Sequence, residues 1–350
     1  MTDNDKKIIV RAPNWIGDAV LAAPFLNALP KVFPDSDISI AGKSHIIELL
    51  NNFPRIEEYI VVDEKEQSGS FLSFTRYLKN KRYDLGFLLT NSFRTAFQFY
   101  LGKVKKRTGY ALELRRLFLT HPISAQGEIM EKSMVDYYMN LLSPFTDISK
   151  LEKNMSLHTS DSDEKRAIEI LKESGWDGIS RLVGINPFSY QWVTKRWFPE
   201  RFAKVTDRLT DNYGVQCAFA GSDKDRRLFE KIKSLCSNKI IDLVGKTPLS
   251  VLPSVMKHYS LFITNDSGLM HVAAAMNVPI VAIFGPTDYR RTAPYTDKAT
   301  LLRYETDHPP CMSPKCCRSF ECMDQITVDQ VYKAAENYLK VGSDPTLKYI

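Results

Sequence analysis

The sequence predicts an α/β protein of two doubly wound, parallel-sheet halves, and three observations carry that prediction. Apolar runs of strand length alternate with helix-length runs along the whole chain. Polar turns bearing a glycine follow several of those strands. The alternation breaks once, between residues 143 and 160, where proline, serine, threonine and charge occur without periodicity. A chain of 350 residues accommodates two domains of ordinary size. The expected boundaries are 1–155 for the first domain, 156–325 for the second, and 326–350 for a C-terminal helix and tail.

In the first half, residues Lys7 to Arg11 read as a strand ending at Ala12-Pro13-Asn14-Trp15-Ile16-Gly17-Asp18. Residues Ala19 to Leu29 follow as one apolar helix, with Pro24 near its first turns, where proline is tolerated. The turn lacks GxGxxG, so the nicotinamide and flavin fingerprint is missing. Further strands are expected over residues 38–42, 59–63 and 85–90, and helices over 70–82 and 133–142. The stretch that begins at Arg107-Thr108-Gly109-Tyr110 and runs to His121-Pro122 reads as less regular.

The second half repeats the pattern. Helices are expected over residues 164–173, 199–213, 225–234, 248–256 and 328–339, and strands over 182–187, 215–220 and 240–243. Pro199 suits a first helical position. The organising stretch is a βαβ unit: an apolar run from Tyr259 to Ile263, the polar turn Thr264-Asn265-Asp266-Ser267-Gly268, a helix of small and apolar residues, and a second strand ending at Phe284-Gly285-Pro286-Thr287. Such a turn presents backbone N–H groups at a helix N-terminus, where an anion is favoured. Ligands of open α/β sheets gather at the C-terminal ends of strands.

Composition narrows the class. Hydrophobic residues make up 44% and charged residues 25%, as in globular proteins, not disordered chains. No run of about 18 apolar residues is present to cross a membrane. The N-terminal residues lack the apolar stretch of a signal peptide, so a cytoplasmic location is expected. Net charge is +6, yet residues 76–116 alone carry 11 Lys or Arg against Asp84 and Glu113. Such a run is either a solvated face or a surface for a phosphate-rich partner. Cys311, Cys316, Cys317 and Cys322 lack the paired CxxC spacing of structural zinc sites and read as reduced thiols; no metal is expected.

Several residues could do chemistry. Asp266, Ser267 and Gly268 offer a carboxylate, a hydroxyl and backbone donors at one helix start, although Asp and Ser are also common N-caps. His271, one turn inside, reads more simply as a packed side chain. Lys195, after the loop Phe188-Ser189-Tyr190-Gln191-Trp192-Val193-Thr194, could neutralise a phosphate, and Arg196 could do the same. Thr287, Asp288, Arg290 and Arg291 add hydroxyl and charge at another strand end. A carboxylate among Ser222, Asp223 and Asp225 could bind ribose hydroxyls. Asp18 is either an N-cap or a general base.

Asn14-Trp15-Ile16-Gly17-Asp18, the run Thr264 to Ala275 and Phe284-Gly285-Pro286-Thr287-Asp288 closely resemble the ADP-heptose:lipopolysaccharide heptosyltransferases of glycosyltransferase family 9, most like the second type. The likeness extends to Asn91-Ser92-Phe93-Arg94, Arg107-x-Gly109-Tyr110, Lys195-Arg196-Trp197-x-Pro199 and the Cys311–Met323 segment, nearly the full length. The resemblance implies a GT-B architecture, two Rossmann-like domains facing across a cleft. It implies transfer of heptose from ADP-L-glycero-D-manno-heptose to the inner core of lipopolysaccharide with inversion, without a cofactor or a nucleic-acid partner. Asp18 would be the general base. Lys195 would hold the donor phosphates together with backbone donors of Ser267, Gly268 and Leu269. Asp266 would contact sugar hydroxyls, with His271 and Thr287 as further donor contacts. Asn91, Ser92, Arg94, Arg107 and Arg115 would meet the lipid A–core acceptor, and the enzyme would sit peripherally at the inner face of the inner membrane. The alternatives are a family 9 transferase with another donor or acceptor, and a non-catalytic binder of nucleotide sugars or anionic glycans.

Overall fold

The structure is a computed structural model that describes residues 7–63, 70–190, 192–304, 310–315 and 320–341. It divides into two compact units, residues 1–158 and 159–350. The first holds strands β1 (Lys7–Arg11), β2 (Asp37–Gly42), β3 (Ile56–Val61), β4 (Leu85–Leu88), β5 (Lys106–Tyr110) and β6 (His121–Ile123), and the second holds β7 (Leu182–Asn186), β8 (Gln216–Phe219), β9 (Ile241–Asp242), β10 (Tyr259–Asn265), β11 (Ile280–Phe284) and β12 (Ala299–Arg303). Every strand pair is parallel.

The two sheets share one topology. The first runs β3-β2-β1-β4-β5-β6 and the second β9-β8-β7-β10-β11-β12, so each is a doubly wound sheet whose order reverses at its first strand. The central strands read as unbroken apolar runs, Ile8-Ile9-Val10 and Ile280 to Phe284, because helices cover both faces of a parallel sheet. In the first unit Ile9, Leu88, Phe74, Leu78, Phe99 and Val104 pack together. In the second, Ile185, Ile263 and Ile283 meet Trp197, Phe202 and Phe229. The C-terminal helix Val328–Val341 belongs to this second core: Val331, Ala335 and Leu339 are buried in it. The phenol of Tyr332 lies under the Arg208 guanidinium at 4.0 Å and accepts a hydrogen bond from Asn212 Nδ2 at 2.9 Å.

Two local readings change. The apolar run after β1 is two helices, Ile16–Leu21 and Ala23–Val32, joined at Ala22. Pro24 stands in the first turn of the second; it has no N–H to donate back to Val20, so one continuous helix would leave that carbonyl unpaired. The stretch read as irregular from Arg107 contains β5 and β6. Polar Lys-Arg-Thr-Gly-Tyr hides the strand, yet it pairs with β4, Phe87 opposite Thr108. Pro122 is admitted because β6 is the sheet edge.

Candidate functional site

In each unit the candidate residues hang from the strands flanking the reversal of strand order. In the first these are β1 and β4. Beyond β1 the chain turns into helix Ile16–Leu21, and Trp15 takes the N-cap position without a side-chain cap hydrogen bond. Asp18 is therefore not the cap; it lies in the helix's first turn, half-buried, where the positive end of the helix dipole favours a carboxylate. The neighbouring phenol of Tyr138 is fully buried, and burial first, then the charge of Asp18, pushes its ionisation well above the ordinary tyrosine range.

Beyond β4, Thr90-Asn91-Ser92 leads into helix Phe93–Leu101. Asn91 is exposed, yet its amide is fixed: Nδ2 donates to the Tyr137 hydroxyl at 2.9 Å, while Oδ1 accepts from Arg115 Nη1 at 3.3 Å. Tyr137 stacks on Tyr110 with ring centroids 3.9 Å apart, and Tyr110 donates to the Tyr137 carbonyl at 2.6 Å. Arg115 is completely buried and also donates to the Thr90 carbonyl at 2.6 Å. Its guanidinium thus braces the β4 loop from below and is not presented to a ligand. The same holds for Arg107: its guanidinium donates to the backbone carbonyls of Phe118, Val104 and Lys105, and burial lowers its pKa. Both differ from the expected acceptor contacts: local carbonyls take the Arg107 donors, and burial beneath Thr90 and Asn91 withdraws Arg115. Gly109 answers the same packing, since a Cβ there would lie 2.7 Å from Arg115 Nη2. Ser92 and Arg94 are exposed, with the Arg94 guanidinium 5.4 Å from the Phe71 ring centroid.

In the second unit the flanking strands are β7 and β10. Their loops are locked together by Asn265, which accepts from the Trp197 backbone N–H at 3.1 Å and donates to the Pro187 carbonyl at 2.8 Å. That brace brings Lys195 to Asp266: Nζ stands 2.8 Å from Oδ2. Asp266 is 5% exposed in its side chain and Lys195 21%. The same Oδ2 accepts from the Thr287 hydroxyl at 2.6 Å, delivered by the turn after β11. The Trp192 ring adds a cation–π contact to Lys195 at 5.2 Å. Gly285 permits the approach of these loops, because a Cβ there would lie 3.2 Å from the Thr194 carbonyl oxygen.

Ser267 occupies the N-cap of helix Gly268–Ala275 but makes no side-chain cap hydrogen bond. Its hydroxyl accepts from Asn186 Nδ2 at 3.2 Å and lies 3.2 Å from the Thr264 hydroxyl. The ordinary-cap account of Asp266-Ser267 is therefore replaced: one side chain holds Lys195, the other holds the strand ends, and the backbone N–H groups of Ser267, Gly268 and Leu269 lie at the positive end of the helix. His271 is buried, with Nδ1 unpartnered among the described residues. Burial and the Lys195 charge pull its pKa down to about 4, with Asp266 opposing, so the imidazole is neutral at pH 7.

The remaining candidates are used structurally. Arg196 donates twice to the Ser189 carbonyl, at 3.2 and 2.8 Å, fixing the β7 loop. Arg290 pairs with Asp288 at 2.9 Å. Asp225 closes a capping box with Ser222, through its Oδ2. Cys316, Cys317 and Gln191 lie outside the described residues; Cys311 is exposed and Cys322 packs on the second core. Among the described residues no group of His, Cys, Asp or Glu is arranged to hold a metal ion. The parts that sequence reasoning missed are Asn186, Asn265 and Trp197, which set the loops, and Tyr137 and Tyr138 in the first unit. Asn265 had a signal, an amide at a strand end inside the motif; the tyrosines had none.

Comparison with known proteins bears on the family and the fold. The profile of glycosyltransferase family 9 (heptosyltransferase) matches residues 71–320. Lipooligosaccharide heptosyltransferase 2 of Haemophilus influenzae is 27% identical over 313 residues, covering 85% of this chain and 88% of the relative. The structure of Escherichia coli ADP-heptose LPS heptosyltransferase II superposes with a TM-score of 0.82 at 25% identity, over 97% of this chain and 100% of that one. A family 9 glycosyltransferase of Veillonella parvula gives a TM-score of 0.87 at 28% identity, over 97% and 99%.

Proposed function

We infer the activity from a premise the family match establishes: this chain belongs to glycosyltransferase family 9, the heptosyltransferases. It moves a heptose from ADP-L-glycero-D-manno-heptose to the inner core of lipopolysaccharide, in the manner of the second heptosyltransferase type. The observation that carries the chemistry is the Lys195–Asp266 pair set beside a helix start that its own Ser267 does not cap.

The reaction breaks the bond from the anomeric carbon to the diphosphate and forms one to an acceptor hydroxyl. Negative charge grows on the leaving ADP, and fixed donors aimed at that charge lower the barrier. An ammonium has three donors. One of Lys195's is engaged by Asp266, which holds the cation in place, and the others are directed to the phosphates. The N–H groups of Ser267, Gly268 and Leu269 complete the anion seat. Asp266 Oδ1 is assigned to sugar hydroxyls, and Thr287 and neutral His271 flank it. Asp18 removes the acceptor proton as the new bond forms on the face opposite the leaving group, which inverts the centre. Asn91, Ser92 and Arg94 are assigned to the acceptor, and Arg115 supports that loop from beneath.

The acceptor is the lipid A–core oligosaccharide, and the enzyme works peripherally at the inner face of the inner membrane. The basic run of residues 76–116 supports that placement, and among the described residues no helix is long and apolar enough to cross a membrane. Incubation with ADP-heptose and a panel of truncated cores tests the activity. Transfer to a heptose-bearing core is expected; transfer to none of them overturns the assignment, and transfer from another nucleotide sugar would reassign the donor within the family.

A further inference from the structure

We propose that one face of the first unit, built by helix Phe71–Lys81, helix Phe93–Leu101 and the 3-10 turn Glu113–Phe118, is the surface that docks this protein on an anionic lipid bilayer. It rests on the preceding reading for the lipid-linked acceptor and the peripheral placement, and names the surface that would make the contact.

The face is a connected aromatic layer. Ring centroids of Phe71 and Phe97 are 6.1 Å apart, those of Phe97 and Phe118 5.0 Å, and those of Phe118 and Tyr100 5.4 Å, with Phe93 5.3 Å from Phe118. Three leucines of the same elements are strongly exposed: Leu72 is 73% exposed, Leu114 69% and Leu117 75%. In a 3-10 turn residues three apart eclipse, so Leu114 and Leu117 present one side together. A lone exposed leucine is ordinary, but leucines contiguous with half-exposed Phe93, Tyr100 and Leu101 mark an interaction surface.

Charge selects the partner. The three elements expose Arg76, Lys79, Lys81, Arg94 and Arg116, and their sequence holds Glu113 as the one acid. Cations also border the rings, Arg94 over Phe71 at 5.4 Å and Arg107 over Tyr100 at 5.5 Å. A second copy docked on this face by two-fold symmetry would set that positive charge against itself. Anionic headgroups answer it, while leucines and aromatic rings enter the boundary beneath them. The placement suits a lipid-linked sugar: helix Phe93–Leu101 starts directly after Asn91-Ser92, so the docking face and the acceptor loop are one continuous piece of chain.

Flotation with vesicles of phosphatidylglycerol and phosphatidylethanolamine, against pure phosphatidylcholine, tests this. The wild-type chain should float with the anionic vesicles and be released at about 0.5 M salt. The L114E/L117E variant should lose partitioning by about tenfold or more, as two apolar anchors are removed, and R116E should weaken it further on anionic vesicles only. Both variants should keep the wild-type melting temperature and kcat/KM with a delipidated, water-soluble core, and lose rate only with acceptor embedded in vesicles. Wild-type indifference to anionic vesicles, or unchanged flotation of L114E/L117E, overturns the proposal. So does a self-association that L114E/L117E abolishes while flotation persists. Absence of transfer by the wild type to the soluble core would instead strike the activity, leaving the flotation result to stand by itself.

Discussion

The Lys195 ammonium lies 2.8 Å from Oδ2 of Asp266, and the Thr287 hydroxyl reaches the same oxygen at 2.6 Å. Three separate strand ends thus converge on one carboxylate oxygen. Replacing Lys195 with alanine leaves that nearly buried carboxylate without its cation, so two losses are expected together. Stability should fall by about 3 kcal/mol, read from urea unfolding. The value of kcat should fall by about 100-fold or more, as donors to the leaving group disappear. Thr287→Val should be milder, costing about 2 kcal/mol for one hydrogen bond to a charged acceptor.

Asp18→Asn keeps the shape of the first helical turn and removes the proposed base. Turnover should drop by about 100-fold or more, while the affinity for ADP, measured by titration calorimetry, should stay within a few-fold of wild type. Unchanged turnover would take Asp18 out of the mechanism.

His271 gives a pH signature. Its pKa is held at about 4 in the folded chain against 6.5 for an ordinary histidine. Between these values the unfolded chain binds a proton that the folded chain refuses. Stability contributed by the neutral imidazole is therefore full above pH 6.5 and lost as pH falls towards 4, on the order of 3 kcal/mol in all. His271→Gln should flatten this part of the stability–pH curve in chemical denaturation; an unaltered curve would assign the acid limb to other groups.

Gly109→Ala puts a methyl against the Arg115 guanidinium, 2.7 Å from Nη2. Either the strand or the arginine must yield, at a cost of about 1–3 kcal/mol. Because Arg115 braces Thr90 and Asn91, KM for the acceptor should rise while KM for the donor stays constant. A change confined to the donor KM would refute the bracing role.

The sequence disclosed what depends on local pattern. Apolar strand runs, the glycine turns and the proline-led helix Pro199–Tyr213 were all legible, because periodicity and capping are written within a few residues. Strand β5 was not, because its residues are polar and its strand character comes from pairing with β4. The chemistry divides the same way. Lys195 and Asp266 were visible as charged residues at turns, but their pairing depends on Asn265 holding Trp197, 68 positions away in sequence. Arg107 and Arg115 were expected at the acceptor from the family resemblance; here Arg107 is tied to carbonyls of its own neighbourhood and Arg115 is buried against Thr90. Ser267 stands at the N-cap position, yet its hydroxyl accepts from Asn186 on another strand, a contact that local cap preference does not encode.

The repetition of one strand order in both sheets has a consequence for how such an enzyme changes over time. Each half carries its candidate residues on its own strand ends, so substitutions that retune one set leave the hydrogen bonds within the other unit untouched. On the proposed assignment, acceptor preference and donor preference would be separately heritable. A chimera that exchanges residues 1–158 for a relative's counterpart is then expected to carry over the choice of sugar to be extended, while the choice of sugar delivered stays with residues 159–350.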